Sequence, residues 1–168
     1  IGVPLTLLSM DSNTEIGIVE MGANHQKEIE FLCNIATPDY GYITNFGKAH
    51  LEGFGSVEGV IKGKSEMFVH LIKNDKTIFL NNEDPIQIEK SIGGDVFTFG
   101  KSKNNPNVSI DFIDAQPFVK LKYNNLTIDS LLIGDYNFNN IAVAIAIGNY
   151  FKVSDNDIKS AIRSYIPS

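Results

Sequence analysis

Apolar positions recur along this chain with two different periods. Spacings of three and four, the period of one helix face, predict helices over 26–36, 56–72, 84–92, 137–150 and 154–164. Short runs rich in β-branched and aromatic residues predict strands over 14–20, 40–45, 76–82 and 95–100. This alternation predicts an α/β fold, a mostly parallel, doubly wound sheet flanked by helices. The texture changes near residue 100. Past the polar "KSKNNPN", residues 107–113, 117–123 and 126–132 alternate apolar and polar, with "NN" at 124–125 as a turn. That pattern predicts a small antiparallel β meander at about 107–132. Pro85 falls at an early helical position, where its missing N–H is harmless, and Ser154 is the expected N-cap of the last helix. Ala142, Ala144 and Ala146 predict close packing of helix 137–150 on the sheet. The expectation is one domain spanning 1–168.

The helix over 56–72 carries two lysines in "VIKGKSEMF" that its geometry separates. At about 100° per residue, Val57, Val60, Ile61, Met67, Phe68 and Leu71 cluster around Lys64, whereas Lys62 lies on the far side among Glu58, Ser65 and Glu66. A lysine centred on a core-facing stripe must snorkel, pair, lose its proton or be modified. Carboxylation of its amine by CO₂ would turn a cation into an anion with oxygen ligands.

Composition narrows the possibilities. The net charge of −6 argues against a general nucleic-acid binder, which needs a basic face. The apolar runs are far shorter than a membrane span, and "IGVPLTLL" has neither the basic region nor the cleavage site of a signal peptide. The single cysteine, Cys33, reads as a buried helical thiol, which makes the cytoplasm the expected compartment.

In an open parallel sheet, ligands bind beyond the carboxyl ends of the strands. Glu20, sharing a strand face with Ile16 and Ile18, ends the first strand, and Asn45 ends the second. A carboxylate there suits Mg²⁺, which takes one or two carboxylates beside phosphate oxygens; an ordinary loop acid is the alternative. His50 lies in the glycine-rich "NFGKAHLEGFGS" at the same edge, and His25 in "GANHQKE" either touches a substrate or caps the following helix. Asn137 and Asn140, three apart, share a helix face and offer amides of the kind that match the edge of adenine, with helix capping as the alternative.

Taken in order, "IGVPLTLL", "VEMGANHQKEI", "ITNFGKAHLEGFGSVEGVIKGKSEMF", "LNNEDP" and "GDYNFNNIAVAIAIG" resemble the central ATP-binding domain of the Mur ligases. "EMGANH" and "AHLEGFGS" are similar to the branch that joins D-alanyl-D-alanine to a UDP-linked muramoyl tripeptide. The resemblance implies ATP and Mg²⁺ as cofactors. It implies Glu20 and His50 as metal ligands and Lys64 as a carbamylated lysine, with these three as the catalytic set. It implies Asn137, Asn140, Tyr136 and Asn45 at the nucleotide, and Asn24 and His25 toward the substrate. Many relatives carry histidine where this chain has Tyr136. UDP-MurNAc-tripeptide and D-Ala-D-Ala are the implied partners of the full-length parent, with no nucleic acid and no membrane. The family's phosphate loop, G-T-[NS]-G-K-[ST], is expected before Ile1, and the flanking domains lie outside these 168 residues, so the chain alone is expected to lack ligase activity. The competing readings are a non-catalytic nucleotide- or protein-binding module and another Mur-type ligase. A generic α/β hydrolase is disfavoured because no G-x-S-x-G elbow appears.

Overall fold

The computed structural model describes residues 2–47 and 51–166. Among these residues seven α-helices are assigned: α1 (Gly2–Leu8), α2 (Glu28–Ala36), α3 (Leu51–Phe54), α4 (Val57–Lys73), α5 (Pro85–Lys90), α6 (Asn137–Tyr150) and α7 (Asp155–Ser164). Six strands, β1 (Tyr40–Gly41), β2 (Thr77–Asn81), β3 (Asp95–Gly100), β4 (Val108–Asp114), β5 (Phe118–Tyr123) and β6 (Leu126–Ile133), line up in that order in one sheet. β1 pairs parallel to β2 and β3 parallel to β4, while β4, β5 and β6 form the antiparallel meander. The fold is therefore α/β, with helices flanking the sheet, as the alternation predicts. No helix among the described residues is long and apolar enough to cross a membrane.

The chain divides into two compact units: residues 1–78 with 90–95, and residues 79–89 with 96–168. The first is organised around α4. Ser56 caps that helix, its hydroxyl accepting from Gly59 N at 3.1 Å. Val60, Phe68 and Leu71 are fully buried. Gly59 and Gly63, one turn apart, admit Phe54: a Cβ on Gly63 would lie 2.4 Å from the Phe54 ring, and one on Gly59 2.1 Å from the Phe54 carbonyl. The expected polar side of α4 is only partly polar in its surroundings. Lys62 is exposed, but Ser65 is buried, and the Glu66 carboxylate accepts from Lys27 N at 2.7 Å and Glu30 N at 3.0 Å. Glu66 thus satisfies orphan donors at the start of α2, which turns this side of α4 into a helix–helix contact rather than a solvated face. Cys33 is fully buried on α2, as expected, and burial pushes its thiol up to about 11.

Two strand expectations fail in this unit. Residues 14–20 form no ladder, and Ile16 and Ile18 are 55% and 84% exposed, so they line no buried row with Glu20. Alternation favours extended backbone, but a strand exists only when a neighbour takes its N–H and C=O groups. Among the described residues none does so here. The strand expected over 40–45 shrinks to Tyr40–Gly41, paired with Thr77 and Ile78.

The second unit matches its sequence pattern closely. Tyr123 pairs with Leu126 across a two-residue turn in which Asn124 takes φ 51°. Val119, Leu121, Tyr123 and Ile128 are fully buried on one face. The Tyr123 hydroxyl donates to Asp155 Oδ1 at 2.7 Å and accepts from Asn149 Nδ2 at 3.0 Å, which ties the meander to both closing helices. Ser154 caps α7 as expected, accepting from Asp157 N at 3.2 Å. Phe79, Phe97 and Tyr150 meet edge to face with centroids 5.1–6.0 Å apart. Ala142 and Ala146, four apart, are buried, but Ala144 is exposed, because two residues along a helix rotate its Cβ about 200° away.

Candidate functional site

In the first unit the site is built around Lys64. The Lys64 side chain is half-buried. Nζ donates to the Asn45 carbonyl oxygen at 2.7 Å and to Asn45 Oδ1 at 3.3 Å. Asn45 Oδ1 also accepts from Gly47 N at 2.9 Å, closing a tight turn just past the residues that follow β1. Burial pulls the Lys64 ammonium below the ordinary lysine value, with no carboxylate opposing the shift. An amine held by two neutral oxygens is a donor and not a cation ligand; only its carboxylated form would offer oxygen to a metal.

The "GANHQ" turn ahead of α2 is held by its own carboxylate. Glu28 Oε2 accepts from Asn24 N at 2.7 Å and His25 N at 3.1 Å, and Glu28 Oε1 meets His25 Nδ1 at 3.2 Å. Those backbone donors keep the Glu28 carboxyl below the usual range. Asn24 and His25 thus lie in a tight turn ahead of α2 that the Glu28 carboxylate holds, and both side chains remain exposed. Gln26 Nε2 donates to Gly59 O at 2.6 Å, fixing the turn on α4. Gly53 fits directly beneath: a Cβ there would lie 2.2 Å from the Asn24 carbonyl. Neither contact was legible from spacing, although glycines four apart in "GVIKG" mark the face of α4 that admits a close neighbour.

Glu20 lines a cavity of about 380 Å³ with Gly2, Val3, Gly22, Glu28, Phe31 and Leu32. Among the described residues its carboxylate has no hydrogen-bond or ion-pair partner. No cluster of three His, Cys, Asp or Glu side chains occurs among the described residues. His50 lies outside them.

The candidate adenine residues sit in the second unit, at the start of α6. Asn140 Nδ2 donates to Asn137 Oδ1 at 3.1 Å, and Asn137 Nδ2 to the Ile133 carbonyl at 2.9 Å. The two amides share a face as the spacing predicts. Tyr136 is 72% exposed, and its ring lies over Gly134, whose φ of 89° and missing Cβ make room for it. One turn away, Asn139 Oδ1 accepts from Asn81 Nδ2 at 3.4 Å, and Asn81 N donates to the buried Gln87 at 3.1 Å. The amides of α6 thus continue into the end of β2.

The structure is thus an α/β sheet with an antiparallel meander, carrying a half-buried lysine on α4 and a carboxylate, Glu20, at a cavity. The chain belongs to the Mur ligase middle domain family, whose model matches residues 1–148. It is 31% identical over 159 residues to the UDP-N-acetylmuramoyl-tripeptide--D-alanyl-D-alanine ligase of Bacillus subtilis, covering 94% of this chain and 34% of that protein. It is 30% identical over 165 residues to the ligase of the same name from Haemophilus influenzae, covering 96% of this chain and 36% of that one. The chain therefore spans about a third of the length of these relatives. The fold is similar to MurF from Acinetobacter baumannii (TM-score 0.84, 24% identity, 99% of this chain and 38% of that one). It is also similar to the MurF ligase of Thermotoga maritima in complex with ADP (TM-score 0.77, 23% identity, 99% and 40%).

Proposed function

We propose that residues 1–168 are the central domain of an ATP-dependent ligase of peptidoglycan precursor synthesis, working in the cytoplasm. The longer protein would join D-Ala-D-Ala to UDP-MurNAc-tripeptide. The terminal carboxylate of the tripeptide takes the γ-phosphoryl group of ATP, giving an acyl phosphate and ADP. The free amine of D-Ala-D-Ala then attacks the acyl carbon, forming the amide and releasing phosphate and a proton.

In this reading Glu20 and His50 would hold Mg²⁺, with Lys64 in its carboxylated form. When bound, the metal would neutralise charge on the phosphates. Lys64 reaches that form when its neutral amine adds to CO₂ and releases one proton to water. The contact of Lys64 with Asn45 fixes where the group stands before that addition. Asn137, Asn140 and Tyr136 would orient adenine at the start of α6, and Asn24 and His25 would face the substrate.

The observation that carries the proposal is Lys64 itself, half-buried on a helix inside a chain that belongs to this family, with its head held on the neutral oxygens of Asn45. The test uses the full-length protein, supplied with ATP, Mg²⁺, UDP-MurNAc-tripeptide and D-Ala-D-Ala. Lys64→Ala and Glu20→Gln are expected to lower amide formation by about a hundredfold or more, the scale set by losing charge stabilisation of a phosphoryl-transfer transition state. Residues 1–168 alone are expected to form no amide. Wild-type rates in Lys64→Ala would overturn the assignment.

A further inference from the structure

We infer that Asn45 is a positioning residue for Lys64, not a nucleotide contact. Three hydrogen bonds carry this. Nζ reaches both oxygens of Asn45, the backbone carbonyl at 2.7 Å and Oδ1 at 3.3 Å. Oδ1 is at the same time the acceptor for Gly47 N at 2.9 Å. One side-chain oxygen is therefore shared between the lysine head and the turn that follows Asn45.

A lysine head is a compact group on a long flexible stem and would otherwise sample many rotamers. Two acceptors from a single residue restrict it to one direction. The shared oxygen couples that direction to the turn at Gly47. Oδ1 is committed twice within the chain, so the amide oxygen serves the lysine and the turn rather than a nucleotide donor. The division of labour inside Asn45 is also testable. The carbonyl persists in any variant, so substitution removes only the side-chain half of the grip.

The catalytic arm of the test rests on the ligase reading above; the labelling arm does not. In the labelling arm, the protein is acetylated with limiting acetic anhydride and the extents at Lys64 and exposed Lys62 are compared by peptide mass spectrometry. Lys64 is expected to label at least fivefold more slowly than Lys62. Asn45→Ala is expected to bring that ratio at least threefold closer to one. Asn45→Asp, which keeps an oxygen at the Oδ1 position, is expected to retain the protection. An unchanged ratio in Asn45→Ala, or equal loss in Asn45→Asp, would overturn the inference. In the catalytic arm, the full-length Asn45→Ala enzyme is expected to lose at least tenfold in kcat with KM for ATP within about twofold. A rise in KM for ATP at unchanged kcat would return Asn45 to the nucleotide and overturn the positioning role. Should Lys64→Ala leave activity intact while labelling at Lys64 still depends on Asn45, the ligase assignment fails and the positioning contact stands.

Discussion

The two units of this chain treat similar apolar sequences in opposite ways. In the meander, "FVKLKY" puts Val119, Leu121 and Tyr123 fully inside, whereas "TEIGIVE" in the first unit leaves Ile16 and Ile18 55% and 84% exposed. Both stretches alternate. The difference is that β5 has a hydrogen-bonded neighbour on each side, within a few residues in sequence, while 14–20 has none among the described residues. Local pairing lets a strand form from its own surroundings. A strand of a parallel sheet depends on partners brought from far along the chain.

Four substitutions break or sharpen this contrast. The largest effect is expected from Phe68→Ala, in the fully buried centre of α4. It should lower stability by about 3–5 kcal/mol in urea denaturation. A loss below 1 kcal/mol would mean that the first unit lacks a packed core altogether and that the contrast runs deeper than one segment.

Tyr123→Phe comes next, at about 1–3 kcal/mol, because it leaves Asp155 and Asn149 without their shared hydroxyl. It should also change the pH profile. Burial, then the hydrogen bond to Asp155, raises Tyr123 above its ordinary value of 10.0, so its contribution is complete below pH 10 and lost as pH climbs through the raised value. The same bond lowers Asp155 below 3.8, so that contribution is present above pH 3.8 and lost as pH falls through the lowered value. Denaturation midpoints across pH should show both limbs in the wild type and flatter limbs in Tyr123→Phe.

Ser154→Ala removes the cap of α7 and should cost about 1 kcal/mol, read in the same denaturation assay. The smallest effect is expected for Ile18→Ser, within about 0.5 kcal/mol, since the side chain is already in water. A loss above about 1.5 kcal/mol, the scale of an apolar side chain leaving a core, would show 14–20 to be packed and would erase the contrast.

Legibility followed the same division. β3 and α6 were read to the residue at both ends, and the meander, α7 and the Ser154 cap were read nearly so, because each declares itself through neighbours close in sequence. The two-residue β1, the unpaired 14–20 and the short helices α1 and α3 were not, since pairing and short turns depend on what approaches from elsewhere. Within the site, the apolar stripe singled out Lys64 over Lys62, and the spacing brought Asn137 to Asn140. The contact of Lys64 with Asn45, nineteen residues away, and the capping of α2 by Glu66 had no periodic signature.

The sequence by itself marked Val60, Phe68 and Leu71 on α4 and the alternating positions of the meander as inward-facing, because side-chain direction follows from helix and strand geometry once a period is set. It also carried the motifs that place the chain among the Mur ligases. Only the tertiary structure decided what meets each inward or outward face: that Asn45 takes the Lys64 amine, that Glu66 serves a second helix, and that Glu20 lines a cavity. Those outcomes depend on long-range approach of segments, which a one-dimensional pattern does not encode.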